Sequence, residues 1–275
     1  MEEKENIGII AGGGQFPFMV ADSARNQGFF VTAVAFEGEA DPALTDSVDK
    51  IVWIRLGQLG KLIKAFKNNN IKKALMAGTI TKRKMFEQVR PDLRGLTFIS
   101  KFAVFHDDNI LRALADELAV EGIEIVSSTS YLPEIIARQG CLTKRKPGKE
   151  EETDIRIGWN IAKELGRLDI GQCVVIKRKT VLALEAIDGT NETILRGGEI
   201  AGKDAVIVKV SKPNQDMRFD VPSIGLETIK VMSRVHASTL AIEAGKTLIF
   251  DQTEMIELAN KSGISIIAYE KDNFT

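Results

Sequence analysis

The sequence predicts an α/β protein with a doubly wound parallel sheet in its N-terminal part and a second, distinct α/β domain after it. In the first half, short apolar runs alternate with helical patterns, which is the repeat that builds parallel sheets. The charge-dense, aperiodic run from Lys144 to Thr153 interrupts that repeat and is typical of a linker or exposed loop. Strands and helices are mixed less regularly after it. We therefore predict two domains, residues 1–145 and 146–275.

The elements of the first domain follow from hydrophobic periodicity. Apolar runs of strand length predict five strands, at Ile7–Gly12, Phe29–Phe36, Lys50–Ile54, Lys72–Gly78 and Ile123–Thr129. Helical spacing predicts three helices, at Pro17–Asn26, Leu59–Asn68 and Asp107–Glu121. The third has the clearest start, because Asp107 and Asp108 favour the positive end of a helix dipole.

The second domain is predicted from the same signals. Helices are expected at Asp154–Leu165, Ile224–Val235 and Gln252–Ser262. Alternation around a turn at Lys177–Thr180 predicts a hairpin over Cys173–Ile187. Further strands are expected at Asp204–Lys212, Thr247–Asp251 and Ile264–Glu270.

Composition excludes several classes of function. The chain has 275 residues and a net charge of −1, so no basic field indicates nucleic-acid binding. It has two cysteines, outside any CxxC pair, and two histidines, which argues against a zinc site, a disulfide framework or a histidine-based triad. No signal peptide or membrane-length apolar run is visible, and a reducing cytoplasm fits.

A glycine-rich turn follows the first predicted strand and opens a helix. In AGGGQFP, the glycines Gly12, Gly13 and Gly14 allow a phosphate to approach the backbone at a helix N-terminus. Pro17 stands where a full GxGxxG fingerprint needs a third glycine, so the turn predicts phosphate binding in general rather than a dinucleotide site. The alternative is a tight strand–helix turn with no ligand.

Two charged clusters lie in the second domain. The segment KPNQDMRFDVPSIG concentrates Lys212, Asp216, Arg218 and Asp220 between two prolines. Lysine and arginine bind phosphate, while aspartate binds hard cations and orients water. The earlier stretch LEAIDGTNETILR contains Glu185, Thr190 and Arg196 around a predicted strand end and glycine turn. Together they indicate anion chemistry assisted by a carboxylate, although a polar surface loop is the alternative for each.

Six phrases resemble, in the same order, those of a known family. They are IAGGGQFP, HDDNILRALADELAVEGIEIV, GRLDIGQCVV, LALEAIDGTNETILR, VKVSKPNQDMRFDVPSIGLETI and EAGKTLIFD. The family is the UDP-2,3-diacylglucosamine pyrophosphatase of lipid A biosynthesis, in the form distinct from the metallophosphoesterase-type enzyme. The resemblance extends from Ile7 to about Tyr269.

The resemblance implies a Rossmann-like N-terminal domain joined to a C-terminal α/β catalytic domain, with substrate between them. It implies Mg²⁺-type, metal-dependent hydrolysis of UDP-2,3-diacylglucosamine to UMP and 2,3-diacylglucosamine 1-phosphate, with water attacking the sugar-side phosphorus. It also implies a cytoplasmic homodimer, for which we expect transient contact with the inner membrane face and no nucleic-acid partner. Either Mg²⁺ or Mn²⁺ is the expected cofactor.

The family's essential aspartate falls on Asp220, which we expect to orient or deprotonate water or to bind the metal. Asp216 and Glu185 are the further candidate metal ligands. The expected substrate-binding residues are Gly12, Gly13, Gly14, Thr190, Arg196, Lys212, Gln215 and Arg218.

The chain departs from the family pattern at a few positions. His106 replaces a usual glycine, Asn191 replaces a usual aspartate and Gly197 replaces a usual arginine. Two other functions fit the same patterns: another nucleotide-sugar or dinucleotide-binding enzyme, and a non-catalytic nucleotide-binding protein. For the acyl chains we expect an apolar groove near Phe98–Ile99 and Phe102–Phe105, with ordinary core as the alternative.

Overall fold

The structure is a computed structural model that describes residues 5–80, 90–100, 107–213, 215–219 and 221–270, without the side chains of 107–109. The chain forms two compact units. The first consists of Met1–Pro133 and Asp216–Asp220, and the second of Glu134–Gln215 and Val221–Thr275. A short segment from the second half of the chain is therefore part of the N-terminal unit.

The first unit is built on a five-stranded parallel sheet. Its strands are β1 (Asn6–Ala11), β2 (Phe30–Phe36), β3 (Lys50–Ile54), β4 (Lys73–Ala77) and β5 (Glu124–Ile125). They lie in the order β3-β2-β1-β4-β5, and every pairing is parallel. This order is common to doubly wound nucleotide-binding sheets. The central strands β1 and β2 are buried along nearly their whole length, as parallel strands covered on both faces must be.

Helices connect these strands. They are α1 (Phe16–Asn26), α2 (Leu44–Ser47), α3 (Leu59–Asn68), α4 (Leu93–Ile99) and α5 (Asp107–Val120). The apolar face of α3, with Leu62, Ile63 and Phe66, is buried with residues of β1 to β4 in one hydrophobic cluster. The spacing of those three residues places them on one side of the helix, and this is why the segment folds as it does.

The second unit contains a six-stranded mixed sheet. Its strands are β6 (Gly140–Cys141), β7 (Cys173–Lys177), β8 (Thr180–Leu184), β9 (Val206–Lys209), β11 (Thr239–Glu243) and β13 (Ser265–Tyr269). The order is β6-β13-β11-β9-β7-β8. The three central strands are parallel, whereas β6 and β7 pair antiparallel with their neighbours. A separate pair is formed by β10 (Ser223–Ile224) and β12 (Leu248–Ile249). The predicted fold class is thus confirmed.

Four helices complete the described part of this unit. They are α6 (Lys149–Arg167), α7 (Thr190–Ala201), α8 (Leu226–Arg234) and α9 (Gln252–Lys261). The first begins within the segment predicted to be a linker. The Gly148 N–H donates to Glu151 Oε2 at 2.7 Å, and three glutamates occupy the first turn. Both features stabilise a helix start, so the run of charges begins a helix instead of preceding it.

The predicted hairpin is present. Strands β7 and β8 pair antiparallel across Arg178 and Lys179, whose φ angles are 48° and 64°. Two consecutive positive φ angles are the mark of a type I′ turn, which matches the twist of the strands it joins. The buried carboxylate of Asp154 on α6 accepts both turn amides, from Arg178 N at 2.8 Å and Lys179 N at 2.6 Å.

Some expectations need correction. The strand end and glycine turn expected in LEAIDGTNETILR are present at Leu184 and Gly189, but the helix α7 that follows and the strand β11 were not predicted. Residues 134–145, assigned from the sequence to the first domain, belong to the second unit because β6 pairs with β13 there. Within the described ranges, we find no helix with the length and apolarity needed to cross a membrane.

Candidate functional site

The glycine turn lies where the strand order of the first sheet reverses. Strand β1 is flanked by β2 on one side and β4 on the other, and Gly12–Gly14 follow its carboxyl end. In open α/β sheets, ligands bind outside the carboxyl ends of the strands at this reversal. The position of the turn is therefore the one expected of a ligand site.

The amides of this turn are largely occupied by the protein itself. Gly12 N donates to Ala77 O at 2.9 Å, and Gly13 N donates to Thr79 O at 2.8 Å. A Cβ on Gly12 would lie 2.5 Å from Thr79 O, so a side chain there would push the two turns apart. We expected all three glycines to offer amides to phosphate. Gly12 and Gly13 instead allow the turns after β1 and β4 to approach each other closely.

The segment 216–219 lies at the same edge of this sheet. Ser127, two residues beyond the end of β5, donates its hydroxyl to Met217 O at 2.9 Å. Phe219 packs against the hydrophobic cluster that contains α3. Residues distant in sequence thus fix this part of the charged loop to the N-terminal unit.

Asp216 and Arg218 form a tight pair inside that segment. Arg218 Nε donates to Asp216 Oδ1 at 2.9 Å and Nη2 donates to Oδ2 at 2.8 Å. The guanidinium also lies over the Phe219 ring, 4.7 Å from its centre. The hydrogen bonds from Arg218 hold the pKa of the Asp216 carboxyl below its usual range. Asp216 therefore shapes the loop, since both of its oxygens are engaged by an arginine.

Three sequence-based expectations fall outside the described residues. They concern Asp220, His106 and the stretch Phe102–Phe105. Asp220 is flanked in sequence by Phe219 and Val221, which belong to the first and the second unit respectively. Its proposed role stays a prediction from the sequence.

Glu185 occupies an edge of the second sheet. It is 7% exposed and directly follows β8. Its Oε1 accepts the hydroxyl of Thr190 at 2.6 Å, and its Oε2 accepts the Gln172 N–H at 2.8 Å. Glu185 and Thr190 are brought together, as the sequence suggested. The carboxylate joins the loop before β7 to the start of α7, and both of its oxygens already have donors.

The guanidinium of Arg196 is hydrogen-bonded to nearby groups of the second unit. Its Nη2 donates to Asp188 Oδ2 at 2.8 Å and to Leu184 O at 3.1 Å. The hydrogen bond from Arg196 lowers the pKa of Asp188. The pair is solvent-exposed, and such pairs are worth little, so an incoming anion can replace Asp188 at small cost.

Lys212 and Gln215 form the base of the charged loop. Lys212 Nζ donates to Asp169 Oδ1 at 2.6 Å, and Lys212 N donates to Gln215 Oε1 at 2.8 Å. The Gln215 side chain therefore closes the turn that begins the loop. Lys212 is a cation at the carboxyl edge of β9, where a phosphate would be expected.

The sequence interpretation missed a buried group at that same edge. Lys163, Ser211 and Glu243 form a hydrogen-bonded cluster in which Lys163 Nζ lies 2.6 Å from Glu243 Oε2. A signal was present, because Glu243 directly follows a run of apolar and β-branched residues and precedes Ala-Gly-Lys. That run was not recognised as a strand.

The predicted residues thus divide between two sheet edges. Gly12–Gly14, Asp216 and Arg218 lie at the carboxyl edge of the first sheet. Glu185, Thr190, Arg196, Lys212 and Gln215 lie in the second unit, around the carboxyl ends of β8 and β9.

The described carboxylates do not form a metal site by themselves. No cluster of three or more His, Cys, Asp or Glu side chains suited to a metal occurs in the described ranges. Asp216 and Glu185, the two candidate ligands there, use their oxygens on protein donors. Mg²⁺ is often held by one or two carboxylates together with substrate phosphates, so a prebuilt cage is not required for it.

Comparison with known proteins gives a consistent result along the chain. The family model described as the LpxI N-terminal domain matches residues 6–135, and the one described as the LpxI C-terminal domain matches residues 138–267. The UDP-2,3-diacylglucosamine pyrophosphatase LpxI of Caulobacter vibrioides is 32% identical, over 96% of this chain and 97% of that protein.

Solved structures add no functional argument. An N5-carboxyaminoimidazole synthetase from Staphylococcus aureus complexed with ADP is 14% identical, with 64% of this chain and 39% of that one covered and a TM-score of 0.26. A UDP-N-acetylmuramate:L-alanyl-gamma-D-glutamyl-meso-diaminopimelate ligase from Neisseria meningitides is 11% identical, with coverage of 96% and 77% and a TM-score of 0.31. Similarity this low carries no conclusion.

Proposed function

We propose, since this chain belongs to the LpxI family, that it hydrolyses the pyrophosphate bond of UDP-2,3-diacylglucosamine. The products are UMP and 2,3-diacylglucosamine 1-phosphate. The observation that carries the proposal is the match of both domain models, one after the other, together with a relative of that name aligned over 96% of the chain.

The reaction needs charge neutralisation and a positioned water more than covalent chemistry. In our proposal, a water oxygen forms a bond to the sugar-side phosphorus, and the bond from that phosphorus to the bridging oxygen breaks. The bridging oxygen leaves with UMP, and the proton of the water passes to the Asp220 carboxylate and then to solvent. The sequence resemblance implies that Asp220 corresponds to the family's essential aspartate, so it is our candidate catalytic residue.

Each unit contains cations suited to binding a phosphate. Arg218 in the first unit and Lys212 and Arg196 in the second are each paired with a nearby aspartate. Partly exposed ion pairs contribute little stability, so a phosphate can replace a carboxylate as partner. Thr190 is a further polar candidate in the second unit, and Gly14 is the candidate in the glycine turn of the first, because the amides of Gly12 and Gly13 are engaged.

A divalent cation is part of the proposal, and Mg²⁺ or Mn²⁺ would neutralise charge on the diphosphate. Two of the candidate ligands, Asp216 and Glu185, are held by Arg218 and Thr190, so the ion would be bound mainly through the phosphates of the substrate, which leaves Asp220 as the base. The requirement is tested by measuring UMP release in Mg²⁺, in Mn²⁺ and in EDTA. Equal rates of UMP release in Mg²⁺, in Mn²⁺ and in EDTA would contradict the proposed metal requirement.

The Asp220→Asn variant tests the catalytic assignment. We expect UMP release to fall by about 100-fold or more, because an amide cannot accept the proton of the attacking water. Substrate binding and the unfolding transition should be unchanged. The matched control is Asp216→Asn, which weakens the loop pairing but leaves the proposed base intact. Near wild-type turnover in the Asp220 variant would contradict the assignment.

Hydrolysis in H₂¹⁸O identifies the attacked phosphorus. Label in 2,3-diacylglucosamine 1-phosphate supports attack on the sugar-side phosphorus, and label in UMP contradicts it. The same assay separates the alternatives. A non-catalytic nucleotide-binding protein binds the substrate without releasing UMP, and a dinucleotide-dependent enzyme changes the absorbance of NAD(P)H.

We further propose a homodimer that acts in the cytoplasm and meets its substrate at the inner membrane face. The acyl chains of the substrate are the reason for the membrane contact, because they keep it at a lipid surface. Sedimentation equilibrium tests the dimer, and co-flotation with substrate-containing vesicles tests the contact. A monomer at micromolar concentration, or no flotation, would contradict the respective part.

A further inference from the structure

Glu243 is a buried carboxylate at the carboxyl end of β11. It is 1% exposed, and such a charge is retained in a protein only when it is paired and hydrogen-bonded. Lys163, near the end of α6, donates its ammonium to Glu243 Oε2 at 2.6 Å. Lys163 Nζ also lies 5.7 Å from the centre of the Trp159 ring, within the range of a cation–π contact.

The pair holds the backbone of Ser211 from both sides. Ser211 N and Oγ donate to Glu243 Oε2 at 2.9 Å and 2.7 Å. On the other side of the residue, Lys163 Nζ donates to Ser211 O at 2.8 Å. Ser211 is 1% exposed, so water does not compete for these bonds. Both backbone polar groups of this residue are therefore fixed by charged partners, which make stronger bonds than neutral ones.

Ser211 is the last residue before the charged loop. It follows β9 and is joined directly to Lys212, where the segment that carries Asp216, Arg218 and Asp220 begins. The direction in which the chain leaves the sheet is set by the peptide groups on either side of Ser211. The buried pair therefore controls the start of the loop although neither side chain belongs to it.

The carboxylate is kept ionised by its partners. Burial alone raises the pKa of Glu243, but the hydrogen bonds from Lys163 and Ser211 outweigh it, and the pKa is lower than usual. On the outer side, Lys246 Nζ lies 3.1 Å from Oε1. Glu243 Oε2 accepts hydrogen bonds from three donors, which are Lys163 Nζ, Ser211 N and Ser211 Oγ. The buried carboxylate therefore holds Lys163 and Ser211 in place.

We propose that Glu243 and Lys163 are positioning residues for the reaction. By fixing Ser211, they hold Lys212, at the start of the charged loop, in the position that turnover requires. This inference rests on the proposed function for its kinetic consequences. Its structural part, that the pair orders the loop, is independent of the substrate.

The other end of the same strand offers a matched control. Glu151 on α6 accepts hydrogen bonds from Ser238 Oγ at 2.6 Å and from Thr239 Oγ1 at 2.8 Å, where β11 begins. It joins the same helix to the same strand through the hydroxyls of Ser238 and Thr239, whereas Glu243 is joined to that helix through Lys163. However, Glu151 lies at the amino end of β11, away from the charged loop. Glu151→Gln therefore shows how much stability is lost when a hydrogen-bonded contact between α6 and β11 is weakened away from the charged loop.

The experiment compares Glu243→Gln and Glu151→Gln in the full chain. For each variant, kcat and KM for UMP release, the melting temperature and the amide hydrogen exchange of Ser211, Lys212 and Gln215 are measured. We expect Glu243→Gln to lower kcat by about 10- to 100-fold with little change in KM, as loss of a supporting partner does at other sites. Exchange at these three amides should become faster. Glu151→Gln should lower the melting temperature similarly and leave both kcat and loop exchange unchanged.

Further variants keep the test decisive if Glu243→Gln does not fold. Replacing both partners, in Lys163→Met with Glu243→Gln, removes the buried charges together and is tolerated better than leaving one unpaired. It should remain slow, because Ser211 O has lost its donor. As a single substitution, Lys163→Met should also lower kcat. Lys163→Arg, which keeps the positive charge, should lower kcat less.

The possible failures are distinguishable. Wild-type kcat and wild-type loop exchange in a folded Glu243→Gln variant would overturn the inference. Absence of UMP release from the wild-type chain would instead contradict the proposed function. In that case the exchange measurement still decides whether the pair orders the loop.

Discussion

At the scale of single residues, most of the charged groups that suggested catalysis are paired within the protein. Arg218 holds Asp216, Thr190 and Gln172 N hold Glu185, and Asp169 holds Lys212. In our proposal, some of these residues shape the site, and others exchange a carboxylate partner for a phosphate of the substrate. The distinction depends on exposure, because a buried pair resists exchange and an exposed pair does not.

Gly78 provides a residue-scale prediction. Its φ is +92°, and a Cβ there would lie 2.5 Å from Gly13 O. We expect Gly78→Ala to lower the free energy of unfolding by about 2 kcal/mol or more, because backbone strain and a steric clash act together. Activity should fall as well, since the glycine turn must shift. Urea denaturation and the UMP assay provide the two measurements.

Gly122→Ala is the control for this prediction. Gly122 has a φ of +80° but no atom within 4 Å of an added Cβ. Only the left-handed strain applies there, for which we expect a loss of about 1 kcal/mol and unchanged activity. Equal losses in the two variants would show that the close approach to Gly13 does not matter.

At the scale of elements, long periodic segments were predicted well and short or polar ones were not. The helix α3 and the β7–β8 hairpin were predicted because their apolar spacing is unambiguous. The helix α7 was missed because Gly189 and polar residues at its start have the composition of a turn. The N-cap residue Gly189 makes no side-chain capping bond, so the usual sequence signal for a helix start is absent.

The turn of the hairpin gives a prediction at this scale. Arg178 and Lys179 both adopt positive φ, which costs residues with a side chain free energy. Replacing them by Asn and Gly, the preferred type I′ pair, should raise the free energy of unfolding by about 1 kcal/mol. Turnover should not change, because this turn lies at the opposite end of β7 from Cys173 and the loop of Gln172. A loss of stability measured in urea would contradict the turn assignment.

At the scale of the whole molecule, several carboxylates stabilise the folded state through their charge. Hydrogen bonds lower the pKa of Glu151, Asp216 and Glu243 below the usual values. For Glu151 and Glu243 this occurs although burial, the largest single influence, raises the pKa. Acid protonates these groups in the unfolded chain before it protonates them in the folded one. Their contribution is therefore complete above the unfolded pKa values and is lost as the pH falls through the folded ones.

This sign gives a prediction for pH. The free energy of unfolding should decrease as the pH is lowered from about 5 to about 3, because unfolded aspartate and glutamate titrate near 3.9 and 4.3. The Glu243→Gln variant should show a shallower decrease than the wild type, since it lacks one of these groups. Urea titrations across this pH range measure both slopes. Parallel curves would show that the buried pair contributes no pH-dependent stability.

The division of the chain into units was also decided at this scale. The sequence placed the loop from Lys212 to Gly225 entirely in the second domain, whereas residues 216–220 belong to the first unit. The bond from Ser127 to Met217 spans 90 positions, and no local pattern predicts a contact at that separation. In the sequence, Phe219 is an apolar residue in a polar loop. Only the structure shows that it packs against a hydrophobic cluster of the first unit.

The sequence by itself determined the fold class, the position of the glycine turn after the first strand and the family, through long motifs in fixed order. These depend on periodicity and on local backbone requirements, which neighbouring residues specify. Only the tertiary structure decided which amides of the turn are occupied, which carboxylates are held by arginine or hydroxyl partners, and that a buried pair fixes Ser211. Lys163 and Glu243 are 80 positions apart, and their meeting depends on how a helix packs against a sheet. The physical reason is that the burial and pairing of a charge depend on the packing of distant segments, which local patterns do not encode.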